Sequence, residues 1–502
     1  MNIEYYDVVV GGAGLSGIGM ACHLTQECPT KSFAVIERRD DIGGTWDLFR
    51  YPGIRSDSDM FTFGYDFRPW HDLSVLADGT SIKNYIRDTA KEFSVYDHIQ
   101  FSTSIAHADW STQEQVWTLT LEDKQTKQQR KVQCQFFIPC TGYYNHAEGH
   151  RPSFPNEESF KGQIVHPQFW PNDLDYKNKK VVVIGSGATA VTLVPAMAED
   201  CAEITMLQRS PSYVFSVPAF DALSKWLGYI MPKKWVFNLA RKRNIFLQRA
   251  LYKVSKRFPN TMRRFFLWTV KKQVGDKVDM KHFSPYYNPW DQRLCAVPDG
   301  DLFETLSSGQ ANIVTDTIKA FDDTGIQLDS GQHLDADIII TATGLSVQVL
   351  GGMTLSKDGQ PQTFSDHMTY KSVLVEDVPN FSYIFGYTNA PWTLKADLAS
   401  RYVCRLINYM DENQLQSVYP HPEAGQKTEA TVMDEMQSGY IQRAKNVLPR
   451  QGKEQPWRVL NKYEIDKKIL LKQPIEDSPL VFGRIGAKHT TNQKEKVAAE
   501  TS

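Results

Sequence analysis

The sequence predicts an α/β protein: two Rossmann-like dinucleotide-binding domains, with a helical insertion in the second. Three observations carry this. An apolar run at residues 7–10 leads into the turn Gly11-Gly12-Ala13-Gly14-Leu15-Ser16-Gly17. The same pattern returns as an apolar run at 181–184 followed by Gly185-Ser186-Gly187-Ala188-Thr189-Ala190. Residues 222–275 then break the style of the chain, with fourteen Lys or Arg, no Asp or Glu, and aromatic residues interleaved.

In the first turn Gly12, Gly14 and Gly17 fit G-x-G-x-x-G. The first allows the tight turn, the second lets a pyrophosphate approach the backbone, and the third lets helix pack on strand. The helix N-terminus offers free N–H groups and a positive dipole end to the phosphates. Residues 33–37 form a second buried strand ending in Glu37, twenty residues past Gly17, where a ribose-binding carboxylate belongs. In the second turn Ala190 takes the third position, which only needs to be small. The following strand, 204–207, ends in Gln208-Arg209. An acid there would bind a ribose 2′-OH, whereas an Arg can pair with a 2′-phosphate. The first site therefore suits FAD and the second NADP.

With 502 residues, the chain is long enough for two to four domains at roughly 150 residues each. It is 41% hydrophobic and 23% charged, ordinary for a soluble globular protein. A net charge of −2 gives no drive toward nucleic acid, and no nucleic-acid partner is expected. The seven Cys are scattered, with no C-x-x-C and no zinc spacing, so no metal site is expected. No secretory signal is visible, and cytoplasm is the expected location. Residues 181–198 are uncharged but read as strand, turn and helix rather than a membrane span, because Gly185, Gly187 and Pro195 interrupt them.

The segment 43–59 is polar, glycine-rich and aromatic, which suits either a cofactor-lining loop or an ordered surface loop. Residues 82–96 read as helix and 98–105 as a strand. Segments 110–121 and 130–138 alternate as antiparallel strands do. Residues 160–171 have loop composition and cross between domains. Two strands ending in Thr-Gly, at 136–142 and 336–344, mark the two crossings. For 222–275 two readings stay open: helices whose aromatics pack on the body, or a peripheral contact with an anionic membrane surface, at the inner face of the cell membrane, or a lipophilic substrate mouth near one. Residues 399–412 read as a helix. The expected division is 1–145 and 341–485 for the FAD domain, 146–211 and 286–340 for the NADP domain, 212–285 for the insertion, and 486–502 for a disordered tail.

Two such domains suggest hydride transfer from nicotinamide to flavin. A disulfide reductase would need a Cys pair, which the sequence lacks. Reaction with O₂ or electron transfer to a partner remains. The segments 43–59, 160–171 and 288–295, with Trp392-Thr393-Leu394-Lys395-Ala396-Asp397, resemble the type I Baeyer–Villiger monooxygenases, the class B flavoprotein monooxygenases, and among them the ethionamide-activating type. The likeness runs from residue 6 to about residue 459. The family signature F-x-G-x-x-x-H-[T/S]-x-x-W-P is met at Phe160, Gly162, His166, Trp170 and Pro171, with Pro167 in place of the hydroxyl residue. That departure leaves N- or S-oxidising flavin monooxygenases as an alternative. A membrane-surface flavoprotein using 222–275 as its interaction module is a third reading.

The resemblance implies FAD and NADPH as cofactors. It implies O₂ and a small lipophilic ketone or sulfide as substrates, and ester or lactone formation through a C4a-peroxyflavin, with S-oxidation as a further activity. It places Arg293 as the catalytic cation and Asp57 as the acid that holds it. Guanidinium suits the task because it stays charged and donates in a planar fork. His166 is implied to be an interdomain hinge. FAD contacts are implied at Gly12, Gly14, Ser16, Gly17, Glu37, Thr45, Trp46, Asp47, Leu48, Asp57 and the backbone of Ile105. NADP contacts are implied at Arg55, Ser56, Gly185, Ser186, Gly187, Ala188, Thr189, Ala190, Gln208 and Arg209. Gln292 stands where many relatives carry a Lys that contacts the 2′-phosphate, so the NADPH preference rests on Arg209.

Overall fold

The computed structural model describes residues 3–292, 294–436 and 438–484. Arg293 and the tail 486–502 thus lie outside the described residues. Two sheets carry the architecture. The first has eight strands in the order Gln360–Gln362, Thr354–Lys357, Thr103–Ser111, Val116–Asp123, Gln129–Pro139, Glu4–Gly11, Phe33–Ile36, Ile99–Gln100. Its centre is parallel, with Val9 between Ala34 and Phe137. Val8, Val9 and Val10 are all buried, because a parallel strand covered on both faces has no solvent side. The second sheet is parallel throughout: Asn312–Thr315, Glu203–Gln208, Lys180–Ile184, Ile338–Thr341, Gln163–Val165. These are two Rossmann-like units.

Several details differ from the sequence reading. The expected strand 110–121 is a hairpin, Thr103–Ser111 and Val116–Asp123, with Trp110 opposite Trp117. Its turn holds Gln115 at a left-handed φ of 56° and contains neither Gly nor Pro, so nothing in composition marks it. The expected loop 160–171 contributes the edge strand Gln163–Val165, too short to show a period. The expected helix 399–412 starts earlier, running Trp392–Glu412 after Pro391, and packs on helix Leu15–Glu27. Residues 181–198 form a strand, a turn and the helix Ala188–Met197. Among the described residues no helix is long and apolar enough to cross a membrane.

The basic segment forms three helices, Ala222–Leu227, Lys233–Arg257 and Pro259–Val274. They are not confined to the second unit. Phe237 and Ala240 enter the core that holds Val8 and Val10. The Arg241 guanidinium, buried beside them, donates to the carbonyls of Phe61, Thr62 and Gly64. Val270 and Val274 instead enter the core of the second unit, with Val181 and Val183. The insertion therefore straps one unit to the other. It is preceded by a strand, Tyr213–Val217, paired in parallel with Leu294–Pro298. The two crossings between units run side by side: Tyr144–Gly149 pairs antiparallel with Leu345–Val347.

Candidate active site

The site begins at the first glycine turn. Gly12 adopts φ +105°, and a Cβ on Gly17 would lie 1.8 Å from the Gly12 carbonyl oxygen. Only glycine allows this turn and this approach of helix to strand. Helix Leu15–Glu27 starts on Gly14, where no side chain caps its first-turn N–H groups, and Gly14, Leu15 and Ser16 line a cavity. Helix Ala188–Met197 likewise starts on Gly187 without a side-chain cap, and a Cβ on Gly187 would meet nothing within 4 Å. Both turns are cradles for an anion.

Glu37 is buried at the end of its strand. Its Oε2 accepts from the Ala13 amide at 2.6 Å and its Oε1 from the Arg39 amide at 2.8 Å. Burial pushes this carboxyl above the usual carboxylate range, and the two amides oppose it only in part. Each oxygen keeps a lone pair for a hydroxyl group. Ser16 is tied from across the molecule, its Oγ accepting from Trp392 Nε1 at 2.7 Å.

From this turn a cavity of about 470 Å³ extends between the units. Gly12, Gly14, Ser16, Glu37, Thr45, Trp46, Asp57 and Ile105 all line it. Away from the turn, Phe215, Leu251, Tyr252 and Trp290 give the wall an apolar and aromatic part, and Trp392 lines the cavity beside Ser16. Gln292 and Leu294, the neighbours of Arg293, line it too. Arg293 itself, assigned by resemblance, lies outside the described residues.

Other expected contacts stand behind this wall. The Asp47 carboxylate is buried between Arg39 Nε and Lys83 Nζ, each 2.5 Å away. Leu48 packs in the core of the second unit. Arg55 pairs with Asp301 at 2.6 Å, and the Ser56 hydroxyl donates to the Ser58 carbonyl at 2.9 Å. The second turn, from Gly185 to Ala190, lies outside the cavity with Gly187 and Ala188 exposed, and Ser186 Oγ is 3.0 Å from Ser212 Oγ. Thr189 meets the buried Tyr51 hydroxyl, joining the loop 43–59 to the second unit. The Gln208 amide turns inward to the His282 carbonyl and Thr315 Oγ1, whereas Arg209 is exposed at the strand end.

His166 sits against both crossings. Its Nε2 donates to the Gly344 carbonyl at 3.2 Å, its Nδ1 accepts from the Gln168 amide at 3.2 Å, and its ring fills the space beside Gly149. Burial lowers its pKa, which agrees with this neutral, one-donor arrangement. His166 is not among the described residues that line the cavity.

Sequence reasoning missed three parts of the wall. His146 presents a buried Nδ1 that has no partner among the described residues. Burial and the Arg38 and Arg39 charges lower its pKa to about 3, so the ring is neutral and available to a bound group. In the sequence Trp392 is legible only as part of the motif 392–397. Gln248, Leu251 and Tyr252 come from helix Lys233–Arg257, where only the alternation of aromatic and basic residues was legible.

A family model described as "FMO-like: Flavin-binding monooxygenase-like" matches residues 6–350. The chain belongs to this family. Among relatives of this flavin-binding monooxygenase-like chain, a Mycobacterium tuberculosis protein named "Putative FAD-containing monooxygenase MymA" is 53% identical over 490 residues, covering 97% of this chain and 99% of the relative. The FAD-containing monooxygenase EthA of the same organism is 47% identical over 483 residues, covering 96% and 98%. A solved steroid monooxygenase bound to NADP shares the fold, with a TM-score of 0.76 at 22% identity over 96% of this chain and all of that one. The open, uncapped glycine turns, the buried Glu37 and the unpartnered His146 fit a bound dinucleotide.

Proposed function

We propose that this flavin monooxygenase is of the Baeyer–Villiger type, using FAD, NADPH and O₂ to insert one oxygen atom into a ketone C–C bond. The products are an ester or lactone, NADP⁺ and water, and thioethers or thioamides are oxidised at sulfur. When bound, the flavin supplies O₂ activation with electrons taken from NADPH.

This chain's own residues supply the rest. The first glycine turn and Glu37 hold the FAD pyrophosphate and ribose, and Arg209 holds the NADPH 2′-phosphate. Arg293 keeps a fixed positive charge beside the oxygen that turns negative as the carbonyl is attacked. Asp57 orients that guanidinium. Phe215, Leu251, Tyr252 and Trp290 seat the ketone and exclude water. His166 acts as the hinge between units. The observation that carries the reading is that one cavity is lined by Glu37, by Asp57 and by both neighbours of Arg293.

The test is product analysis of the holoprotein with NADPH over a panel of aliphatic and aryl ketones. Esters formed in step with NADPH consumption are expected; hydrogen peroxide alone across the panel would overturn the reading. Arg293→Ala should still reduce its flavin with NADPH yet form no ester, and retained ester would remove Arg293 from this role. N-oxides from amines without any ester would point to an N-oxygenase.

A further inference from the structure

Helix Lys233–Arg257 has two faces with different destinations. One faces inward: Phe237 and Ala240 are buried in the core, and the half-buried Gln248, Leu251 and Tyr252 line the cavity wall. The other carries Trp235, Leu239, Lys242, Phe246, Lys253 and Arg257, all exposed and spaced three, four or seven residues apart. That spacing places them on one stripe. Trp235 is 67% exposed and Phe246 70%. The next helix, Pro259–Val274, repeats the pattern with Arg264, Phe265, Trp268 and Lys271 outward, Trp268 being 60% exposed. Exposed apolar side chains grouped on one face and rimmed by polar residues mark an interaction surface, whereas single ones do not.

Charge decides the partner. Residues 222–275 contain fourteen cations and no acid, in a chain whose net charge is −2. A second copy of the same stripe would bring like charges together across a two-fold interface. An anionic bilayer supplies negative headgroups for Lys and Arg and a hydrocarbon boundary for Trp, Phe and Leu. The exposed stripe and the cavity wall are separated only by the body of one helix, on the order of 10 Å.

We propose that the outer stripe of helices Lys233–Arg257 and Pro259–Val274 lies on an anionic lipid surface, and that long-chain, membrane-dissolved substrates enter the cavity past this helix. The substrate half rests on the Baeyer–Villiger reading above; the docking half does not. The test uses the full-length holoprotein and sedimentation with vesicles of phosphatidylglycerol and phosphatidylcholine. Sedimentation with anionic vesicles at low salt, its loss at high salt, and none with pure phosphatidylcholine are expected. The triple variant Trp235→Ser, Phe246→Ser, Trp268→Ser should lose most vesicle binding, at least tenfold, with an unchanged melting temperature. It should also turn over a short water-soluble ketone unchanged while losing most activity on a long-chain ketone carried in the vesicles.

Failure of the wild type to sediment with anionic vesicles would overturn the docking. So would equal binding of a single-stranded RNA, or a self-association abolished by the triple variant. Equal loss on short and long ketones would overturn the delivery. Vesicle binding by a protein that oxidises no ketone supports the docking and counts against the Baeyer–Villiger reading alone.

Discussion

Helix Leu15–Glu27 carries the first glycine turn at its N-terminus, and one buried ion pair locks it to helix Trp392–Glu412. His23 Nε2 lies 2.7 Å from Asp397 Oδ1, and its Nδ1 lies 2.9 Å from Glu27 Oε1. Both ring nitrogens face carboxylates, so the imidazolium donates twice. Burial alone would lower the pKa, but the Asp397 and Glu27 carboxylates outweigh it and raise it from 6.5 to about 9. A pKa raised by folding gives stability that is complete below the unfolded value and is lost as pH rises through the folded value. The window is therefore pH 6.5 to about 9. A difference of 9 − 6.5 = 2.5 pH units is worth about 3 kcal/mol at ~1.4 kcal/mol per unit, counted once on the histidine.

The assay is urea unfolding of wild type and His23→Gln at about pH 6.5 and about pH 9.5. At the lower pH the variant should be less stable by about 3 kcal/mol, because Asp397 is left buried without its cation. Between the two pH values the wild type should lose about 3 kcal/mol more than the variant. Equal pH dependence of the two proteins would refute a charged His23 in the folded state.

Two further outcomes follow from the cofactor turns. Gly17→Ala forces a Cβ to 1.8 Å from the Gly12 carbonyl, so the turn must open; a destabilisation of about 1–3 kcal/mol and purification without bound flavin are expected, checked by melting temperature and by flavin absorbance. Arg209→Gln should raise KM for NADPH roughly tenfold, as the loss of about 1.4 kcal/mol of charged contact implies, and leave KM for NADH unchanged; equal effects on both would separate Arg209 from the 2′-phosphate.

Much of the fold was legible because it rests on local rules. A buried strand, a glycine turn and a helix follow one another within about fifteen residues, and the same grammar twice announces two units. The hairpin turn at Gln115 and the edge strand Gln163–Val165 escaped because neither carries turn chemistry or a period long enough to read. At the site, spacing located Glu37 and the family resemblance placed Thr45, Trp46 and Asp57, and all four line the cavity. It could not say that the Asp47 carboxylate is taken by Arg39 and Lys83, nor that the Gln208 amide turns to His282. Those outcomes depend on partners distant in sequence, 36 residues away for Lys83 and 74 for His282.

The sequence by itself determined the two dinucleotide turns and the contrast between an acid at Glu37 and a cation at Arg209, because each rests on the steric freedom of glycine and on charge at a fixed spacing. Only the tertiary structure decided what the cavity is made of. Trp392 reaches Ser16 across 376 residues, and the basic insertion crosses from one unit's core to the other's while walling the cavity with Leu251 and Tyr252. An amphipathic helix announces that it has two faces; which face meets a core, a cavity or the outside is set by the surfaces that fold against it.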